Sequence, residues 1–406
     1  MASTFAWLDF DESARQRMRE IVGLLQEEGT VDELGLGRIR DVFSERLFPG
    51  TSVLWRRARY LLFVPWTYQV LERDGFKQAN PEAAARAVQR RLRTVLSNQP
   101  DHDGLIGLRT PDPVTPPDSI LWPALRAWGI RSAGTGTLTQ YRSTLRRRPL
   151  RSHHEVESDD GTPTWRAGLP PLPPEFPESA SFGLEHEEAR FLRDRAVEED
   201  AIDEDRSAVR RRDSLLAWML KADSFDATEF PWELPLDARA GDELRAAVHY
   251  AGCFSDVMHG ARLSYALQLA KARESDDDVD AVEDEAADWI ERITRPNRAP
   301  ELVAWLADLA HFWSFVRALN PAISEGEERF VRRWSELTLD DPEGVLQLPA
   351  ATTLVVEREM HVKRGKSRLS PDGRDRGDGG AIPRPMTFRW ANALQIATDI
   401  RRHLVS

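Results

Sequence analysis

The chain reads as mainly α: a multi-helix globular protein with a Pro-rich internal linker and little or no sheet. Three observations predict this. Apolar residues recur at three- and four-residue spacing over most of the 406 residues. The period-two alternation of strands is rare. Hydrophobic residues make up 41% and charged residues 30%, the balance of a chain that buries a core under a solvated surface. Trp122, Trp128, Trp289, Trp305, Trp313 and Trp334, six of thirteen tryptophans, fall in helical stretches and are expected in that core.

The elements follow in order. "ESARQRMREIVGLLQEEG" spaces Met18, Ile21, Val22 and Leu25 as a helix face, with Gly29 as its stop. "RIRDVFSERLF" places Ile39, Val42, Phe43 and Leu47 on one side. Pro49-Gly50 makes a turn, and Thr51 or Ser52 can cap a helix carrying Leu54, Ala58, Leu61 and Leu62, which Pro65 should end or kink. Residues 81–97 are amphipathic, and two short helices flank Gly134 and Gly136. Residues 151–180 hold six prolines and read as an extended surface linker. Further helices are expected near 184–200, 207–221, 240–273, 278–292, 299–319, 325–337, 346–363 and 388–404. The domain division is therefore 1–150, a linker at 151–183, and 184–406 with a mobile basic and Gly-rich loop at 364–385.

The single cysteine, Cys253, forbids an internal disulfide and fits a reducing compartment. The start of the chain lacks a basic stretch leading into an apolar run, and nothing approaches the roughly 18 apolar residues of a bilayer span. A cytoplasmic protein with no membrane contact is expected. Net charge is −12, which argues against indiscriminate coating of nucleic acid but not against a segregated basic face.

Several chemistries fail on spacing. "GLGRIR" and "GTGTLT" lack the third glycine of a dinucleotide fingerprint. "RGKS" has Met360 where a phosphate-binding loop needs glycine. "HVK" at 361–363 has Arg368 where a phospholipase-D-type nuclease needs aspartate, and a calcium loop from Asp276 would need glycine at Ala281 and glutamate at Ala287. One weak metal or nucleophile cluster survives: His249, Cys253 and Asp256 fall within about 60° of one helix face, with His259 slightly off it. A core helix with a buried thiol is the plainer reading. No cofactor and no catalytic residue is implied.

Charge segregation remains. From Glu274 to Glu291 there are ten acidic residues and no basic one, and from Glu185 to Asp205 ten acids against three arginines. Against these stand Arg38, Arg40, Arg46, Arg56, Arg57 and Arg59, then "RSTLRRRPLRSHH", then "REMHVKRGKSRL". Asp41 and Glu45 can pair with the first three arginines at helical spacing. Arg56, Arg57 and Arg59 have no acid within four residues and are the better candidates for an external anion. With Arg146, Arg147, Arg148, Lys363, Arg364 and Lys366 they form the expected contact to DNA or RNA backbone, and Trp165 or Trp390 could stack on bases. The alternative is that these arginines pair with acids inside the chain or across a subunit interface.

"WLDFDE" followed by "DELGLGRIRDVFSERLFPGTSVLWRRARYLLFVPW" resembles the signature of a bacterial family of unknown function, as do "DSLLAWML", "CFSDVMHGARLSYALQLA" and "FRWANALQIATDIRRHL". The resemblance spans nearly the whole chain and brings no catalytic residue. It implies a component of mobile bacterial gene sets of the anti-phage defence kind, beside helicase- or nuclease-like proteins. The expected function is a non-catalytic accessory or scaffold component of such a system. It would touch nucleic-acid backbone through arginine clusters and a protein partner from the same gene set through acidic helices. The alternatives are a purely protein-binding scaffold, or an enzyme with an unfamiliar site near His249–His259.

Overall fold

A computed structural model describes residues 32–73, 80–108, 115–132, 135–147, 164–198, 211–222, 224–370 and 382–404. Among them are fourteen α-helices and no strand. These are α1 (Gly37–Leu47), α2 (Tyr60–Arg73), α3 (Pro81–Ser97), α4 (Pro117–Ala127), α5 (Leu138–Arg147), α6 (His186–Val197) and α7 (Leu215–Lys221), then α8 (Asp242–Ala272), α9 (Asp276–Thr294), α10 (Ala299–Ala307), α11 (Leu309–Leu319), α12 (Glu325–Asp340), α13 (Pro349–Lys363) and α14 (Trp390–Arg402). The mainly α expectation holds. The helix expected near 12–29 lies outside the described residues.

The chain forms two compact units, each assembled from separate stretches. Unit 1 takes residues 48–225 and 391–406, and unit 2 takes residues 28–47 and 226–390. The boundaries read from sequence, at 150 and 184, both fall inside unit 1.

In unit 1 the central element is α2. It is buried from Tyr60 to Thr67 without a gap, so it has no solvent face to mark it as amphipathic. It starts at Tyr60 rather than near Ser52, where Ser52 and Trp55 close a short turn instead. Pro65 therefore sits in its second turn and does not end it. The Pro-rich stretch, over its described part from 164, is a packed strap and not a surface linker. Trp66 donates its indole N–H to the Pro170 carbonyl at 2.9 Å. Phe176 and Phe182 pack on Phe63, with ring centroids 5.9 and 6.2 Å away. Prolines suit such a strap because they bring no N–H that would need a partner against the helix.

Unit 2 is built on α8, whose 31 residues span about 46 Å at 1.5 Å per residue. Buried positions surround α8 on all sides from Ala251 to Ala261, because other helices pack against several of its faces. After the turn at Glu274, α9 returns along it. Gly260 allows close approach: a Cβ there would overlap the Trp289 ring. Trp289 and Trp334 donate to the Asp256 and Val257 carbonyls of α8 at 2.8 and 2.9 Å. Phe43 of α1 completes the core against Phe254, Phe312, Phe315 and Phe388. The single helix expected over 299–319 is broken at Asp308 and bent by 73°. No single described helix is long and apolar enough to cross a membrane.

Candidate functional site

Arg57 and Arg59 are drawn inward, against the expectation that they face an external anion. They precede α2 in a turn whose Ala58 N–H donates to Asp399 of α14 at 3.0 Å. Arg57 donates through Nε to the same carboxylate at 3.0 Å and through both terminal nitrogens to Asp101 at 2.8 Å. Burial works against its charge, yet the bonds from Asp101 and Asp399 hold its pKa above the ordinary value. Arg59 donates to Glu188 at 2.8 Å and to the Ser181 carbonyl at 3.0 Å. Their exposures are 4% and 8%, so neither can reach a phosphate outside. Arg56 is half-exposed and pairs with Asp103. The Arg146–Arg148 side chains lie outside the described residues.

The other proposed stacking and metal residues are also spent internally. Trp390 is buried and donates to the Thr228 carbonyl at 3.0 Å. Trp165 sits among Tyr68, Trp122 and Tyr141. Asp256 is fully buried and accepts from Arg292 Nε at 3.1 Å and Arg298 Nε at 2.7 Å. His259 accepts at Nδ1 from Arg292 at 2.8 Å and donates from Nε2 to the Pro383 carbonyl at 3.0 Å. With both ring nitrogens engaged it has no lone pair for a metal. Desolvation pushes its pKa down to about 3, with Arg292, Arg262 and Arg384 adding to the shift, so it is neutral. Burial likewise pushes the Cys253 thiol up to about 12, the opposite of a nucleophile. The Cys253 sulfur lies 3.8 Å from the His249 ring. Among the described residues no three His, Cys, Asp or Glu side chains are placed to hold a metal ion.

Two charged features face outward. The first is the turn after α13. Lys363 pairs with Glu33 at 2.8 Å, but Arg364 and Lys366 are exposed and meet no acid among the described residues. The turn is held from beneath by Glu359, which is fully buried and accepts from the Arg368 N–H at 2.7 Å and from the Ser367 hydroxyl. Arg364 takes φ 52° and ψ −129°, a backbone conformation that glycine tolerates and arginine does not favour. The sequence showed Glu359 only as an acid opposing the basic run. Its role as a clamp depends on the tertiary fold.

The second feature is the outer face of α9. Val282, Glu285, Ala286, Trp289 and Ile293 turn inward, and Glu285 is met by Arg384. Asp276, Asp277, Asp280, Glu283, Asp284 and Asp288 point to solvent and meet no cation among the described residues. The helix macrodipole accounts for Asp276 and Asp277, which lie in the first turn. It does not reach Asp280, Glu283, Asp284 and Asp288. These four like charges repel one another along one face.

The sequence matches the model of a family of unknown function, DUF6361, over residues 2–401. The chain belongs to that family. The DUF6361 match assigns no role to any residue, so it leaves the reading of the two faces to their chemistry. No curated protein and no solved structure matches the chain.

Proposed function

We propose that this DUF6361 protein is a docking component, an accessory or scaffold subunit working in the cytoplasm, that engages a basic protein partner through α9. The observation carrying this reading is the row Asp280, Glu283, Asp284 and Asp288. It is kept exposed and unpaired among the described residues, in a chain that pairs most of its described arginines internally. Like charges on one helix face destabilise it by a few tenths of a kcal/mol per pair, a cost that a basic partner removes. The partner belongs to the same gene set, of the anti-phage defence kind. The test is co-expression with the products of neighbouring genes, capturing wild type and a variant with these four residues changed to lysine. The expected result is a complex that wild type forms, that salt weakens, and that the variant loses. Equal capture by both removes α9 from the interface.

A second reading, contact with DNA or RNA backbone, is supported by the clamped turn at Arg364 and Lys366. Two charges there release few counterions, so the slope of log K against log salt would be near −2. Fluorescence anisotropy over a salt series measures it, with Arg364→Glu/Lys366→Glu as the control. A slope that the double variant leaves unchanged rules this turn out.

A further inference from the structure

Unit 1 contains a cleft that neither reading above uses. One wall is α3, contributing Gln89, Leu92 and Leu96. Tyr60, Ile106, Pro116 and Pro117 line it from outside α3. Arg86, Arg90 and Arg93 also line it, at i, i+4 and i+7 along one face of α3. Arg86 lies 3.4 Å from Glu82, and Arg93 donates to the Gly107 carbonyl at 2.9 and 3.2 Å. Arg90 is exposed and meets no partner among the described residues.

Gln89 is the anomaly. It is 5% exposed, and neither its amide oxygen nor its amide nitrogen finds a hydrogen-bond partner among the described residues. A buried amide left without bonds works against the fold, and substituting leucine would relieve it. Its donor and acceptor lie side by side at one end of the residue. The complementary group is one that offers an acceptor and a donor together, as one extended residue does with its own C=O and N–H, which point the same way. The cleft is small and its lining is mostly apolar, through Tyr60, Leu92, Leu96, Ile106, Pro116 and Pro117, which suits a short aliphatic side chain. The lining carries three guanidiniums and no acid, and among the described residues only Arg86 of the three meets a carboxylate, Glu82.

We propose that this cleft docks an acidic peptide segment of a partner protein. An aliphatic side chain enters between Leu92, Leu96 and Ile106, Gln89 bonds the N–H and C=O of an adjoining extended residue, and Arg90 meets a flanking carboxylate. The site uses unit 1 residues alone, whereas α9 belongs to unit 2.

The experiment is fluorescence anisotropy of the full chain with labelled pentapeptides Asp-Glu-X-Glu-Asp, where X is Leu, Ile or Val, and with Lys-Lys-X-Lys-Lys controls. At least one acidic peptide should bind, weaken with salt, and lose tenfold or more affinity in both Gln89→Leu and Arg90→Glu. The lysine controls should not bind. Gln89→Leu should melt at or above the wild-type temperature, which separates lost docking from a damaged fold. The α9 lysine variant should bind the acidic peptide as wild type does, so failure of the α9 reading would leave this result standing. No acidic binding overturns the proposal, as does affinity unchanged in either cleft variant. A Gln89→Leu protein that melts well below wild type overturns it too, because the amide would then have a partner. Displacement of the peptide by oligothymidylate, with oligothymidylate affinity itself lost in Gln89→Leu, would assign the cleft to nucleic acid instead.

Discussion

The buried His259 should make stability fall with acid in a way that one substitution removes. The ring is fully buried on α8, with Arg292 donating to Nδ1, Pro383 accepting from Nε2–H and Glu285 3.6 Å from Nε2. Protonation would place a second cation against Arg292 and break its bond to Nδ1. The folded pKa is therefore pushed down to about 3, against about 6.5 in the unfolded chain. Between those values the unfolded state binds a proton that the folded state refuses, so stability rises with pH through that window and is lost as pH falls from about 6.5 toward 3. At pH 5 the unfolded histidine lies about 1.5 pH units below its pKa, which amounts to about 2 kcal/mol lost relative to pH 8. The assay is urea unfolding followed by tryptophan fluorescence at pH 8 and pH 5, for wild type and His259→Gln. Carboxylates elsewhere titrate equally in both, so the difference between their pH dependences isolates the ring. The variant should lose about 2 kcal/mol less on going to pH 5. Matching pH dependences in the two proteins would refute the neutral, doubly bonded histidine. A wild type favoured by acid would show that Glu285 dominates instead.

Two further predictions separate scaffold from surface. Arg57→Met should cost about 3–5 kcal/mol, since it strands the buried Asp399 carboxylate, and thermal unfolding should show it plainly. Arg364→Glu should move the same transition by less than about 0.5 kcal/mol, because its side chain is exposed and unpaired among the described residues; the opposite order of effects would invert the assignment. Cys253 is buried, with its pKa pushed up to about 12, so a disulfide thiol reagent at pH 8 should release no rapid equivalent from native protein and one equivalent in denaturant. A prompt native reaction would show the thiol to be accessible.

The helices were legible because their evidence is local. Spacing of apolar residues over 81–97, 240–273 and 325–337 needs nothing from the rest of the chain, and α3, α8 and α12 appear there. The arginines were not legible for the same reason reversed. Reading four residues either side of Arg57 finds no acid, yet its partners lie 44 and 342 positions away, at Asp101 and Asp399, and the partner of Arg59 lies 129 away, at Glu188. An arginine that is lonely in sequence is thus ambiguous: it faces an external anion, or it closes a long-range contact that the fold supplies. The neighbourhood gives a clue to which. Arg57 and Arg59 open the most continuously apolar helix of unit 1, where a cation not destined for a buried partner would be expelled. Arg364 and Lys366 adjoin a polar turn that places no such demand.

Gln89 shows the converse limit. In sequence it is a neutral polar residue between arginines on an amphipathic helix, and glutamines on such faces are normally solvated. Burial in the fold turns an ordinary residue into one whose bonds are unmade among the described residues. Function at such a position carries no motif, because the chemistry lies in what the fold denies the residue rather than in the residue itself. A stability measurement on Gln89→Leu reads that denial directly: a fold that gains from losing the amide was holding it for something other than its own stability.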